Sequence, residues 1–248
     1  MKIGIFDSGI GGLSILKEIH QLDRALDIYY IADSLNNPYG EKSQEFIIQR
    51  STEISQQLID EGCQIIVVAC NTATAWAIDQ LRETFKEVTF VGVEPYINVI
   101  NKREDLKLKT GLVMATPLTG SSLRFKELKN RLDPENKLQV YLPQSLARII
   151  ERNFFDNSSE LESEVLKEVS HIPKDYDFYI LGCTHYPLVS NILEKALGAE
   201  MISPCSMVAS RVDSFLTHQS GLKKQTFFFQ RTDRESQWSE VEYSKIFK

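Results

Sequence analysis

A short apolar run followed by an amphipathic helical stretch recurs along most of the chain, and this rhythm leaves few architectures open. The run at residues 3–6 precedes Leu13, Leu16 and Ile19, spaced by three, the mark of one buried helical face. The run at 28–32 leads, after a loop, to Ile47, Ile54 and Leu58, and the run at 65–69 leads to Ala73, Ala77 and Leu81. Further strand-like runs stand at 90–93, 112–115, 140–142, 178–181 and 227–229. Strands alternating with helices predict an α/β protein whose largely parallel sheet is covered on both faces.

The rhythm also suggests two domains. The first strand–helix units end near Glu94-Pro95, and a second series runs from about Thr110 to Pro204. From Val208 onward there is one helix, one aromatic strand and a polar tail, too little for a domain. That segment is expected to return to the first domain. The expected division is 1–96 plus 209–248, carrying Cys70, and 97–208, carrying Cys183. The Asn- and Ser-rich stretch 153–159 reads as a surface loop.

Composition narrows the function classes. The 248 residues carry 28 basic and 34 acidic side chains, a net charge of −6. Nucleic-acid binding normally needs a concentrated basic face, so it is not expected. No apolar run approaches the roughly 20 residues that span a bilayer, and Asp7 falls where a signal peptide would be apolar. The expectation is a soluble cytoplasmic protein with no membrane partner. Four scattered cysteines, Cys63, Cys70, Cys183 and Cys205, form no C-x-x-C pair and read as free thiols.

In open parallel sheets, ligands bind beyond the carboxyl ends of the strands. Those ends carry Asp7-Ser8, Asp33-Ser34, Cys70-Asn71-Thr72, Glu94 and Cys183-Thr184-His185. Core packing requires none of these polar residues. Two stretches share a plan, Gln64-Ile-Ile-Val-Val-Ala-Cys70-Asn-Thr-Ala and Asp177-Phe-Tyr-Ile-Leu-Gly-Cys183-Thr-His-Tyr. Each predicts a strand, a small residue, a cysteine, a polar pair and then a helix. Pro187 suits the first turn of the second helix and Gly198 its end. A thiol at a helix N-terminus is expected to favour thiolate. Gly9-Ile-Gly11-Gly12 fails the dinucleotide pattern because Ser14 stands where the last glycine belongs. These glycines read as a tight turn near a small ligand. His20, His171 and His218 lack metal-ligand spacing, and surface or capping roles are expected for them.

Two readings of the thiols compete. His185 follows Cys183 by two residues, as in a Cys–His nucleophile pair, but that scheme leaves Cys70 without a task. Two thiols on opposite faces of one carbon suit inversion of a stereocentre: one thiolate removes the α-proton and the other thiol returns one. Asp7 and His185 are candidates to tune or orient the thiols, one on each side.

The stretches Phe6-Asp-Ser-Gly-Ile-Gly-Gly-Leu-Ser14, Asp33-Ser34, Pro38-Tyr-Gly40, Ala69-Cys-Asn-Thr-Ala73, Gly92-Val-Glu-Pro95 and Gly182-Cys-Thr-His-Tyr-Pro-Leu188 together resemble the cofactor-independent glutamate racemases of the aspartate/glutamate racemase superfamily. The resemblance implies two α/β domains with the active site in the cleft between them, and no pyridoxal phosphate, metal or nucleotide. It implies Cys70 and Cys183 as proton donor/acceptors, with Asp7 and His185 assisting. It implies Asp7, Ser8, Pro38, Tyr39, Gly40, Asn71, Thr72, Thr116, Thr119, Thr184 and His185 as substrate-binding positions. Glu151, after Arg148-Ile-Ile, matches a family acid. The chain departs from the family at Ser203-Pro-Cys205, where an Asp-Ser-Gly segment is usual, and at Met114-Ala-Thr-Pro117.

By this resemblance the chain interconverts L- and D-glutamate, supplying D-glutamate for peptidoglycan, and forms a homodimer. Aspartate racemisation, or isomerisation or decarboxylation of a related small diacid, is the alternative within the superfamily. A non-catalytic ligand-binding protein on the same scaffold is the alternative of another class.

Overall fold

The structure is a computed structural model that describes residues 1–155, 158–216, 224–233 and 237–246. In chain order the first elements are β1 (Lys2–Asp7), α1 (Leu13–His20), β2 (Leu26–Ala32), α2 (Gln44–Asp60), β3 (Ile65–Val68), α3 (Asn71–Thr84) and β4 (Thr89–Gly92). There follow α4 (Val99–Lys102), β5 (Gly111–Ala115), α5 (Pro117–Ser121), α6 (Leu123–Leu132), β6 (Leu138–Tyr141), α7 (Leu146–Asn153), α8 (Ser158–Val169), β7 (Phe178–Gly182), α9 (Ser190–Leu197) and β8 (Glu200–Ile202). The chain ends with α10 (Cys205–Asp213), β9 (Gln225–Arg231), β10 (Ser239–Glu240) and α11 (Tyr243–Ile246).

Two compact units result, Met1–Val93 with Cys205–Lys248, and Glu94–Pro204. In the first, the strand order is β10-β9-β2-β1-β3-β4. β1 pairs in parallel with β2 and β3, β3 with β4, and β2 with β9, and only β10 runs antiparallel among the described strands. The aromatic strand thus extends the first sheet, with Phe228 stacked on Tyr29 and Phe229 on Tyr30. In the second unit the order is β6-β5-β7-β8, all parallel.

The helical periodicity read from sequence is the burial pattern observed. Leu13, Leu16, Ile19, Ile47, Ile54, Leu58, Ala73, Ala77 and Leu81 are all buried. β1, β3 and β7 are apolar on both faces because helices cover both sides. Leu58 of α2 lies against β1 at Gly4, where a Cβ would come within 2.9 Å of it. β8 and β10 have only three and two residues, too few to show periodicity in the sequence.

The loop expected at 153–159 is only partly described. Asn153 ends α7 and is buried, donating through Nδ2 to Glu164 Oε2 at 2.9 Å, so it belongs to the fold and not to a surface loop. Asp156 and Asn157 lie outside the described residues, as does His218. His20 takes neither expected role: its ring meets Gln225 Oε1 at 2.6 Å and stacks on Tyr243. His171 is exposed. No helix among the described residues is long and apolar enough to cross a membrane.

Because Leu58 is fully buried, Leu58→Ala removes its contacts and opens a cavity over β1. A loss of about 2–5 kcal/mol is expected, read as a lower urea midpoint with unchanged slope.

Candidate active site

In the first unit the polar residues gather where β1, β2 and β3 stop. Asp7 is the last residue of β1 and is fully buried. Its Oδ1 accepts the Ser8 N–H at 2.7 Å and the Ser8 hydroxyl at 3.3 Å, and its Oδ2 accepts the Gly12 N–H at 2.7 Å. The glycine turn therefore serves the carboxylate directly. Gly12 is required by close approach, since a Cβ there would lie 2.7 Å from Tyr30 Oη and 2.8 Å from Ala69 Cβ.

Cys70 caps α3, its sulfur accepting the Ala73 N–H at 3.4 Å. The thiol sits 3.6 Å from Ser8 Oγ, so Ser8 joins Cys70 to Asp7. Asn71 and Thr72, the first two residues of α3, are buried. Asn71 donates through Nδ2 to Val93 O at 3.3 Å, which leaves Oδ1 buried without a hydrogen-bond partner. Buried polar atoms are normally satisfied, so this acceptor is available to a ligand.

Pro38, Tyr39 and Gly40 lie in the turn after β2, with a cis Asn37–Pro38 bond. Tyr39 is buried and its hydroxyl donates to Asp33 Oδ2 at 2.7 Å. Asp33 also accepts Arg50 Nε at 3.0 Å and Nη2 at 2.9 Å, a two-pronged pair from α2. Burial pushes the Asp33 carboxyl up, but Arg50, Tyr39 and Asn36 together hold it below its usual value. Burial, Asp33 and the Cys70 thiol push the Tyr39 hydroxyl well above the ordinary range. Arg50 carries no signal in the sequence. It lies in a helix seventeen positions from Asp33, and nothing local marks it.

The second unit carries Cys183 directly after β7. The helix expected to begin at once does not. Pro187 has no N–H to close an α-turn on Cys183, so a 3₁₀ segment, Tyr186–Val189, intervenes and α9 starts at Ser190. The Tyr186 N–H bonds Cys183 O at 3.1 Å. Cys183 is therefore not an α-helix cap, and the two cysteine units match only as far as the polar pair. Gly198 does close α9, in the left-handed conformation at φ 71°.

His185 lies beside Cys183, with Nδ1 3.8 Å from the sulfur. Its Nε2 meets Glu151 Oε2 at 2.8 Å. Glu151, on α7, is only 12% exposed at its side chain, so it is no loose surface residue. Cys183, His185 and Glu151 form a relay. Thr184 is buried, and Tyr186 is buried with an unpartnered hydroxyl. Burial, Cys183 and Glu168 push that hydroxyl well above the ordinary range. Thr116 caps α5, its Oγ1 bonding Thr119 Oγ1 at 2.9 Å.

All four cysteines are buried and none is in a disulfide. Burial pushes the Cys63 thiol up to about 12, which suits a core residue. Cys205 donates to Ser14 Oγ at 3.3 Å, and Ser14 donates to Gly11 O at 2.8 Å. The segment that departs from the racemase pattern thus packs behind the glycine turn. Among the described residues, no group of three or more His, Cys, Asp or Glu is placed to hold a metal ion.

A family model described as Asp/Glu/hydantoin racemase matches residues 11–212. The chain belongs to this family. A glutamate racemase of Herpetosiphon aurantiacus is 38% identical over 234 residues, covering 90% of this chain and 88% of its own. One of Sulfurovum sp. is 35% identical over 208 residues, covering 81% and 76%. Among solved structures, Escherichia coli glutamate racemase, in complex with L-glutamate and the activator UDP-MurNAc-Ala, superposes with a TM-score of 0.80 at 27% identity, covering 95% and 90%. The Francisella tularensis glutamate racemase with D-glutamate gives 0.71 at 28%, covering 92% and 87%. These family members share the two-domain α/β fold.

The Asp33 carboxyl ionises more readily folded than unfolded. Its contribution is therefore fully present above its ordinary value of 3.8 and is lost as pH falls through the lower folded value. The urea-measured stability gap between wild type and Asp33→Asn is expected to be widest near neutral pH and to shrink below about pH 4. A gap that widens on acidification contradicts the assignment.

Proposed function

We propose that the chain is a glutamate racemase that moves the α-proton between two cysteines, supplying D-glutamate for peptidoglycan. The supporting observation is the two polar relays at strand ends, Asp7–Ser8–Cys70 and Glu151–His185–Cys183. Relatives that carry the glutamate racemase name across most of this chain favour glutamate over aspartate or another small diacid.

In this scheme Cys70 and Cys183 address opposite faces of the α-carbon. From one enantiomer, one sulfur arrives as thiolate, takes the α-proton and becomes a thiol. The other arrives as thiol, gives its proton to the opposite face and becomes thiolate. The enzyme then stands ready for the reverse direction. The protein helps by placing donors before charge develops. Ser8 and Asp7 orient the Cys70 proton, while His185, held by Glu151, serves Cys183. Hydroxyls of Thr72, Thr116, Thr119 and Thr184 and the N–H groups at the start of α3 suit the two substrate carboxylates. The unpartnered Asn71 Oδ1 suits the ammonium. Pro38, Tyr39 and Gly40 complete the side that carries Cys70. A cytoplasmic location and a homodimer belong to the same reading.

Each alternative predicts a different result. A binding protein does not exchange the α-proton, and a Cys–His amidohydrolase keeps appreciable activity without Cys70. Incubation with L-glutamate in D₂O, with no added cofactor, should give deuterium at Cα together with loss of optical rotation. No exchange sinks the proposal. Cys70→Ala and Cys183→Ala should each abolish racemisation with an unchanged circular dichroism spectrum, and normal racemisation by either excludes the two-thiol scheme. Glu151→Gln, which keeps the shape but weakens the hold on His185, should lower kcat by roughly 10–100-fold.

A further inference from the structure

Behind the Tyr39 turn lies a carboxylate that the chemistry above does not use. Asp33 has no exposed surface and takes donors from Tyr39, both arms of Arg50 and the Asn36 amide. The third Arg50 nitrogen, Nη1, reaches Glu53 Oε2 at 3.1 Å. The Tyr39 turn packs on α3, whose cap is Cys70. Tyr39 and Cys70 are close enough to interact electrostatically. The described contacts bring Asp33, Arg50, Tyr39 and Glu53 together at this corner, with Asp7 reaching Cys70 through Ser8. Packing alone does not call for this arrangement, because an apolar set of similar volume often stabilises a core as well as a buried ion pair.

We propose, on the basis of the racemase reading, that Arg50 is a positioning residue for Cys70: it neutralises Asp33 behind Tyr39, so that this second carboxylate does not add to Asp7 in disfavouring the Cys70 thiolate. Arg50 need not touch the substrate. Asp33 in turn remains a fixed acceptor for the Tyr39 hydroxyl, which holds the Pro38–Gly40 turn.

The test reads Cys70 directly. The rate of its alkylation by iodoacetamide is followed against pH, with peptide mass spectrometry separating it from the other thiols. Arg50→Gln leaves Asp33 with Tyr39 and Asn36 but no countercharge. The alkylation midpoint should then move up by roughly one pH unit, and kcat/KM with glutamate near pH 7 should fall about tenfold. The double variant Asp33→Asn/Arg50→Gln removes both charges while keeping an oxygen for Tyr39, and its midpoint should return to that of the wild type. Arg50→Lys, which retains the charge, should also keep the wild-type midpoint. An Arg50 that only braced the fold would lower Tm in Arg50→Gln and leave the midpoint alone. That result overturns the proposal, as does a double variant displaced as far as Arg50→Gln. Should Arg50→Gln fail to fold, the double variant and Arg50→Lys decide, a raised midpoint in either one counting against the proposal. Alkylation needs no substrate, so wild-type protein that does not turn over glutamate refutes the racemase reading without touching this readout.

Discussion

The Asp7 carboxylate, gripped by the backbone N–H groups of Ser8 and Gly12, is the interaction around which the polar strand ends of the first unit are arranged. A buried carboxylate needs donors, and a strand end followed by a tight turn supplies them from the main chain without side-chain cost. Holding Asp7 there brings Ser8 between it and Cys70, and draws the Gly12 turn so close that only a hydrogen fits at the Cα. The adjoining Cys205–Ser14 contact backs this turn from the segment 203–205.

The second unit solves the same problem with other parts. Cys183 also leaves the end of a fully buried parallel strand, but Pro187 forces a 3₁₀ segment before the helix. The sulfur gains an imidazole neighbour backed by a carboxylate in place of a helix cap and a serine hydroxyl. In the proposed two-thiol scheme, a reaction with equal energies on its two sides tolerates such unlike supports, provided each thiol can both give and take a proton. The likeness required is one of function at the sulfur. It is not one of surroundings.

Around Cys70 a further layer of charge is arranged at a distance. Asp33 is fully buried and Arg50 half-buried, a pair that is costly to desolvate at the carboxylate and is justified by packing no better than an apolar pair would be. Its position behind Tyr39 gives it a task in the first unit's electrostatics. Local rule-breaking of this kind concentrates at functional sites.

Much of this was legible in the sequence. Apolar residues spaced by three, four or seven mark which faces of α1, α2 and α3 are buried, because helical geometry is local. Unbroken apolar runs identify parallel strands covered on both faces, and polar residues at their ends mark where a ligand meets the protein. Asp7, Cys70, Cys183 and His185 could be singled out because each breaks an apolar pattern at a defined point. Other features needed the fold. The Glu151–His185 and Arg50–Asp33 contacts join residues on separate elements, and an acid or arginine on a helix looks the same in sequence whether it is solvated or paired. The 3₁₀ segment after Cys183 and the buried Asn153 likewise depend on which groups find partners in space. Sequence dictates periodicity and punctuation, which act between neighbours along the chain. Tertiary structure alone decides which distant charges share a low-dielectric corner, because that depends on how helices pack over the sheet.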